Sequence, residues 1–236
     1  MKLSIIVPVF NENSTVVEVL ERVKKEPIPG VEKEIVVVDD GSTDGTIEKL
    51  KSLKLSGLKI IFHEKNQGKG AAVITGIKNS SGDYIIIQDA DLEYHPKFIK
   101  YLIKPILDGK AKVVYGTRIK RLPNFKNEER NLRFLIHYFG NRFLSLFTSV
   151  LYGQWITDME TCYKLFPRKA LDGVKLNAKG FEFEPEITSK LLKKRYKILE
   201  LPIQVTPRGY EEGKKISAFK DGTKAFWYLL KYRFVD

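Results

Sequence analysis

The chain is poor in the residues that build covalent or soft-metal scaffolds. Cys162 is its one cysteine, so no intrachain disulfide and no cysteine-based zinc site can form. A reducing compartment, the cytoplasm, is the natural expectation. Its three histidines, His63, His95 and His137, show no metal-ligand spacing, and no Ser-His-Asp or Cys-His set is visible; each reads as a surface or packing residue. No run reaches the roughly 18 apolar residues that a membrane span needs. The richest stretch, Phe134 to Tyr152, is interrupted by His137, Asn141 and Arg142. Ile5-Ile6-Val7-Pro8 is too short for a signal core and lacks a small-residue cleavage site. Acidic residues are also short: 41 Lys and Arg face 29 Asp and Glu, a net charge of +12. Glutamine is confined to positions 67, 88, 154 and 204 amid abundant Lys and Glu, a balance found in heat-adapted proteins.

What is present is a globular composition, 43% hydrophobic and 30% charged over 236 residues. The positive excess suits a solvated lysine-rich surface, an anionic substrate, an anionic membrane or nucleic acid. The basic residues gather on no single recognition helix and no RNA or DNA module appears, which sets nucleic acid aside.

The first half alternates regularly. Apolar, β-branched runs at Leu3–Phe10 and Glu34–Asp39 read as buried strands, the first buried on both faces, and Leu58–His63, Tyr84–Gln88 and Lys112–Gly116 read as further strands. Between them, helices are expected from Asn13 or Ser14 to Lys25, after Gly45 to Leu53, over Gly68–Asn79 and over Pro96–Leu107. This is an α/β pattern: a mostly parallel sheet flanked by helices, with right-handed crossovers. The second half is less regular. Helices are expected over Arg130–Tyr152, Pro185–Arg195 and Ser217–Phe234, and strands over Thr157–Leu165 and Lys197–Ile203. The Lys120–Glu129 stretch reads as a mobile loop. In open α/β sheets ligands bind beyond the carboxyl ends of the strands. The loops carrying Asn11 and Glu12, Asp39 and Asp40, and Asp89 and Asp91 should therefore converge.

Asp89-Ala90-Asp91 ends an apolar strand, and two carboxylates at i and i+2 form a hard-oxygen site suited to Mg²⁺ or Mn²⁺. Glu93 can supply a third oxygen. Such an ion would neutralise a pyrophosphate leaving group. An isolated D-x-D is more often a solvated acidic turn; its place after a buried strand favours function. Asp40 can accept from a base or ribose, or can serve an Asx-type turn. Phe10 can stack on a base or pack in the core. Lys69, in Gly68-Lys69-Gly70, can face phosphate or stand free at a helix start; the spacing is not that of a dinucleotide-binding loop.

The set PVFNEN, VVVDDGSTDGT, NQGKGAA, QDADLEY, YGTR and TDMETCYKLF resembles family 2 glycosyltransferases of GT-A fold, a nucleotide-diphospho-sugar transferase architecture. Within them it resembles the dolichyl-phosphate mannose synthases and related polyprenyl-phosphate glycosyltransferases. The likeness runs from Lys2 to at least Lys215. It implies one GT-A domain over 1–236, with a nucleotide-sugar half (1–119) and an acceptor half (120–236). It places Pro8, Phe10, Glu12, Val38, Asp40, Asp89 and Ala90 at nucleotide-sugar positions, with Phe10 where a tyrosine is common. It places Asp89, Asp91 and Glu93 around the metal, with Glu93 where some members carry glutamine. Arg118 falls at the donor and acceptor phosphates, with Arg133 and His137 near the acceptor phosphate. Arg208, with Lys214 or Lys215, matches a basic loop over the donor pyrophosphate, and residues 209–215 are expected to order over the donor.

The resemblance implies a metal-dependent, inverting transfer of a hexose to a dolichyl or polyprenyl phosphate. The favoured donor is GDP-mannose; UDP-glucose and UDP-N-acetylglucosamine are the alternatives. Asp91, Arg118, Arg133 and Asp158 are the residues expected to carry the reaction. With a sugar-hydroxyl acceptor, Asp158 or Glu184 would act as base. A nucleotide-sensing peripheral membrane protein is the non-enzymatic alternative. Some synthases of this branch continue into membrane spans and none appears here through Asp236, so a peripheral place on the cytoplasmic membrane face is expected, with room for a membrane-anchoring partner protein. Two amphipathic segments, Phe134–Tyr152 and Ser217–Phe234, are the expected membrane-facing elements. In the second, Phe219, Phe226, Leu230 and Phe234 form the apolar stripe.

Overall fold

The computed structural model describes residues 1–118, 132–206 and 218–235. The expected loop at Lys120–Glu129, and the calls on Arg208, Lys214, Lys215 and the 209–215 loop, lie outside the described residues. Seven strands form one sheet: β1 (Lys2–Val9), β2 (Glu32–Asp39), β3 (Leu58–Phe62), β4 (Tyr84–Ile87), β5 (Val113–Thr117), β6 (Lys164–Pro167) and β7 (Ile198–Pro202). Their order is β3-β2-β1-β4-β6-β5-β7. All pairs are parallel except those of β6, which runs antiparallel to both β4 and β5. In the inner strand β1, Leu3 to Val9 are all buried. This is why an unbroken apolar run, rather than an alternating one, marks it.

The helices are α1 (Val16–Lys25), α2 (Thr46–Ser52), α3 (Lys69–Lys78), α4 (Lys97–Leu107), α5 (Leu132–Tyr152), α6 (Phe183–Lys193) and α7 (Ala218–Phe234). The stripes are regular: Val16, Val19, Leu20 and Val23 bury one face of α1, and Ile99, Leu102, Ile103 and Ile106 one face of α4. Neither Asn13 nor Ser14 caps α1. Thr15 occupies that place, while the Asn13 amide donates to Asp44 (3.0 Å). Helix α3 lies close on β1, since a Cβ at Gly76 would stand 2.4 Å from Ile6 Cγ2. Its start is as tight: Gly68 holds φ +100, and a Cβ there would meet the Lys179 carbonyl oxygen at 2.3 Å.

Two expectations are corrected. The strand expected over Thr157–Leu165 is confined to Lys164–Pro167. Residues 157–163 run irregularly because side chains claim their backbone amides. Thr157 and Asp158 donate to the Glu200 carboxylate, Met159 to Ser145 Oγ and Cys162 to the Tyr94 hydroxyl. The stripe expected on the last helix is also turned inward in part. Phe226 packs at a tilt against Phe147, with ring centroids 4.5 Å apart, and stacks on Phe143 at 6.2 Å. Ala225, Leu229 and Tyr232 of α7 are buried. The exposed apolar stripe belongs to α5: Ile136, Phe139, Phe143, Leu146 and Val150 are each at least half exposed, and Trp227 of α7 is exposed as well. No helix among the described residues is long and apolar enough to cross a membrane.

Candidate active site

The carboxyl ends of β1, β2 and β4 deliver three loops to one edge, and hydrogen bonds stitch them together. Asn11, at φ +51, donates its amide to Ser42 Oγ (2.9 Å), while its Oδ1 accepts from Thr43 N (2.8 Å). Glu12 is buried; its amide donates to Thr46 Oγ1 and its carboxylate accepts from Thr15 Oγ1. Pro8 and Val38 are register partners and both are buried. Phe10 is half-buried beside them.

Asp39 closes an Asx-type turn by accepting from Ser42 N (3.0 Å) and Ser42 Oγ (2.6 Å). Asp40, also buried, accepts from Gln67 N (3.0 Å) and Gly68 N (2.7 Å) and meets His63 Nδ1 at 2.7 Å. The other ring nitrogen of His63 lies 3.0 Å from Thr75 Oγ1. Asp40 therefore fixes the loop that opens α3, and His63 is a packing residue.

The turn after β4 is held by a buried glutamine. Gln88 Nε2 donates to the carbonyls of Asp89 (3.0 Å) and Tyr94 (2.9 Å), and its Oε1 accepts from Tyr163 Oη. Leu92 takes the strained left-handed conformation, φ +65, which folds the turn back. Asp91 then accepts from the amide of Glu93 (3.1 Å). Asp89 pairs instead with Lys69, whose Nζ lies 2.8 Å from Oδ1 and 3.0 Å from Oδ2. Lys69 also reaches Glu184 (3.6 Å), and Glu184 meets fully buried Lys164 at 2.6 Å. Burial works against the charge on Lys69, but Asp89, Cys162 and Glu184 overcome it and raise its pKa well above the ordinary lysine value.

Among the described residues, no three carboxylate, imidazole or thiol groups gather to hold a metal ion. The expected trio of Asp89, Asp91 and Glu93 is not among such groups, and Asp89 turns both of its oxygens to Lys69. Asp91 and Glu93 remain as two carboxylates on one half-buried turn. That donor set fits Mg²⁺ or Mn²⁺, since Mg²⁺ commonly takes one or two protein carboxylates and completes its shell with water and substrate phosphate.

Arg118 ends the second part of the site, at the close of β5. Its backbone amide (2.9 Å), Nε (2.8 Å) and Nη2 (2.7 Å) all donate to Asp158. Asn141 Nδ2 of α5 donates to the same carboxylate (2.7 Å). Asp158 is fully buried; Arg118 keeps 28% of its side chain exposed. Burial pushes the Asp158 carboxyl up, but the Arg118 charge and the hydrogen bonds outweigh it and hold the pKa below the ordinary value. His137 lies one turn before Asn141 on α5 and is half-buried. Arg133 falls in the first turn of that helix; its side chain lies outside what is described.

Sequence reasoning missed Asn141, Glu160, Lys164 and Glu200. Lys164 donates to the Met159 carbonyl (2.8 Å) and to that of Thr161, and so shapes the segment carrying Asp158 and Glu160. Its signal was a lysine inside the apolar run CYKLF, where a solvated side chain would be out of place.

Known proteins share this fold. Solved structures of glucosyl-3-phosphoglycerate synthase from Mycobacterium tuberculosis superpose with a TM-score of 0.73 at 19% identity, covering 100% of this chain and 79% of that one. One of them holds Mn²⁺, uridine diphosphate and phosphoglyceric acid. The likeness bears out the expected GT-A fold. In sequence, the chain is 31% identical over 221 residues to a dolichol-phosphate mannosyltransferase of Pyrococcus furiosus, covering 91% of this chain but only 59% of that protein. It is 30% identical over 245 residues to a UDP-N-acetylglucosamine–dolichyl-phosphate N-acetylglucosaminyltransferase of Methanococcus voltae, covering 96% and 94%. An uncharacterized protein of Methanocaldococcus jannaschii is 33% identical over 208 residues. The pattern of the glycosyl transferase family 2 domain matches residues 4–174, well over half of the length, and the chain is a glycosyltransferase that belongs to that family.

Proposed function

We propose that the protein transfers a hexose from a nucleoside diphosphate sugar to a polyprenyl phosphate of dolichyl type, with inversion at the anomeric carbon. The observation that carries the reading is Arg118: a partly exposed guanidinium, locked by a fully buried carboxylate, at the sheet edge that also bears Asp89 and Asp91. Such a cation is oriented before any substrate arrives, so it can bind a phosphate without reorganising.

The acceptor phosphate is largely dianionic at neutral pH, since its second pKa is about 6. One of its oxygens forms the new bond to the anomeric carbon as the bond to the pyrophosphate oxygen breaks, and the nucleoside diphosphate leaves with the electron pair. No proton has to be removed first, so alignment and charge stabilisation carry the step. Arg118 steadies the acceptor phosphate. Asp91 and Glu93 would hold a divalent ion, which when bound supplies charge neutralisation at the donor pyrophosphate. Asp158 orients Arg118. A carboxylate held below its ordinary pKa by the Arg118 charge and the hydrogen bonds it accepts is a poor base, which disfavours Asp158 as the base of the sugar-hydroxyl alternative.

Mannose from GDP-mannose is the favoured cargo, in line with the Pyrococcus relative. A UDP-sugar donor is the second reading, favoured by the Methanococcus relative, which this chain covers almost end to end. The enzyme would work as a peripheral protein on an anionic membrane face, with the α5 stripe toward the lipid and the +12 charge toward the headgroups. Incubation with radiolabelled GDP-mannose, UDP-glucose or UDP-N-acetylglucosamine and a polyprenyl phosphate should move label into organic-extractable lipid for one donor. Label that stays in the aqueous phase for all three donors would refute the reading.

A further inference from the structure

The proposed reaction requires the donor hexose to lie between two anchors: the Asp91 turn that takes the pyrophosphate and Arg118 that takes the acceptor phosphate. The irregular segment 157–163 spans that interval. At one end Asp158 grips Arg118. At the other the Cys162 thiol lies against Asp89, and the Cys162 amide donates to Tyr94 of the same turn. Glu160 stands midway, within the fields of Arg118, Asp158, Lys164 and Glu184.

Glu160 differs from the other carboxylates of this cluster. Asp158 accepts four hydrogen bonds, Asp89 pairs with Lys69, and Glu184 pairs with Lys164 and Lys69. Glu160 Oε1 is enclosed yet has no hydrogen-bond partner among the described residues, although the residue as a whole is only partly buried. An enclosed carboxylate oxygen without a donor is costly unless a ligand supplies one. Lys164, the nearest cation by its electrostatic effect, is already committed to Glu184 and to two carbonyls.

We propose that Glu160 reads the donor sugar, its Oε1 accepting a hydrogen bond from a hydroxyl of the bound hexose. The inference rests on the transferase reading above and deepens it: Glu160 sets which hexose is held, while the nucleotide is held elsewhere. Burial pushes the carboxyl up to about 7; Lys164 and Arg118 pull it down, and Glu184 and Asp158 add to the rise. Both its ionised and neutral forms keep an oxygen able to accept from a hydroxyl.

The test compares, by titration calorimetry in Mg²⁺, the nucleoside diphosphate with the tightest binder among GDP-mannose, UDP-glucose and UDP-N-acetylglucosamine. Glu160→Met keeps the length and removes the acceptor. It should weaken nucleotide-sugar binding about tenfold while leaving nucleoside diphosphate binding within about twofold. A set of donors, each lacking one sugar hydroxyl, closes the cycle. One deoxy donor should bind the wild type about tenfold more weakly than its parent, and bind the variant no more weakly than the parent does. If the Met variant does not fold, Glu160→Gln takes its place, with a smaller loss at that same hydroxyl. A variant that keeps the wild-type ratio of sugar to diphosphate binding, or a deoxy penalty equal in both proteins, overturns the assignment. Wild-type protein that binds no nucleotide sugar at all overturns the transferase reading itself, and this proposal with it.

Discussion

Replacing Asp158 by Asn separates a positioned arginine from a merely adjacent one. The native carboxylate is fully buried and accepts from Arg118 N, Nε and Nη2 and from Asn141 Nδ2, all between 2.7 and 2.9 Å. Asparagine keeps the shape and one acceptor oxygen but turns an NH₂ group toward donors, so at least one of them loses its partner. Breaking a buried ion pair from one side costs about 3–5 kcal/mol. Because Arg118 is 28% exposed and can draw water, the lower end, about 3 kcal/mol, is expected here. The comparison variant is Asp108→Asn, whose exposed pair with Lys110 at 3.3 Å should be worth about 0–1 kcal/mol.

Urea unfolding of both variants measures the difference at unchanged slope. The pH dependence provides a second reading. Asp158 has a lowered pKa in the folded state. Its contribution is therefore fully present above the unfolded carboxyl value of about 3.9 and is lost as the pH falls through the lower folded value. The gap between wild type and Asp158→Asn should stay constant from neutral pH down to that region and then close. A loss below about 1 kcal/mol, or a gap that closes near neutrality, would refute the account of Arg118 as a locked cation.

Other outcomes can be measured alongside. Stabilisation by a nucleotide sugar in a thermal melt should depend on Mg²⁺ or Mn²⁺, vanish in EDTA and be absent in Asp91→Ala; full stabilisation in EDTA would remove the metal from the reading. Glu160 has the opposite sign to Asp158: with its carboxyl raised to about 7, it costs stability as the pH climbs from the ordinary glutamate value of about 4.3 to 7. Glu160→Gln should therefore gain on the wild type through that window, and parallel pH curves would contradict the burial of the carboxyl. Binding to anionic liposomes in flotation should weaken as salt rises and fall in Phe143→Ser/Leu146→Ser; retention by the folded double variant would acquit the α5 stripe.

Much of the nucleotide-binding half was legible because its determinants are local. Strands β1 and β2 are short runs rich in β-branched residues, and helices α1 and α4 carry their own apolar stripes. The convergence of Asn11, Asp40 and Asp89 at one edge follows from the parallel order alone. The antiparallel insertion of β6 between β4 and β5 was not legible. It depends on a chain reversal after α5, and its four residues are too few for any period to register. The irregular run 157–163 was mistaken for a strand for a related reason. Its composition suits a strand, but its amides are claimed by Glu200, Ser145 and Tyr94, which lie 14 to 68 positions away.

The same distance hid the electrostatic frame of the site. Lys69 and Glu184 are 115 positions apart and Lys164 and Glu184 are 20 apart, so neither pairing has a local signature, although the apolar run around Lys164 marks it as buried. Buried ion pairs are weak contributors to stability, since desolvation offsets much of their attraction. The chain Asp89–Lys69–Glu184–Lys164 therefore needs a reason other than strength, and its endpoints supply one. At one end it sets the orientation of Asp89, beside the Asp91 turn. At the other, Lys164 ties down the Met159 and Thr161 carbonyls that flank Glu160. Hydrophobic replacements could fill the same volume, but they would leave the turn and the segment 157–163 free to shift. Two pieces of backbone far apart in sequence are thus fixed relative to one another by fixed charges, in the interval where a sugar would have to bridge two phosphates.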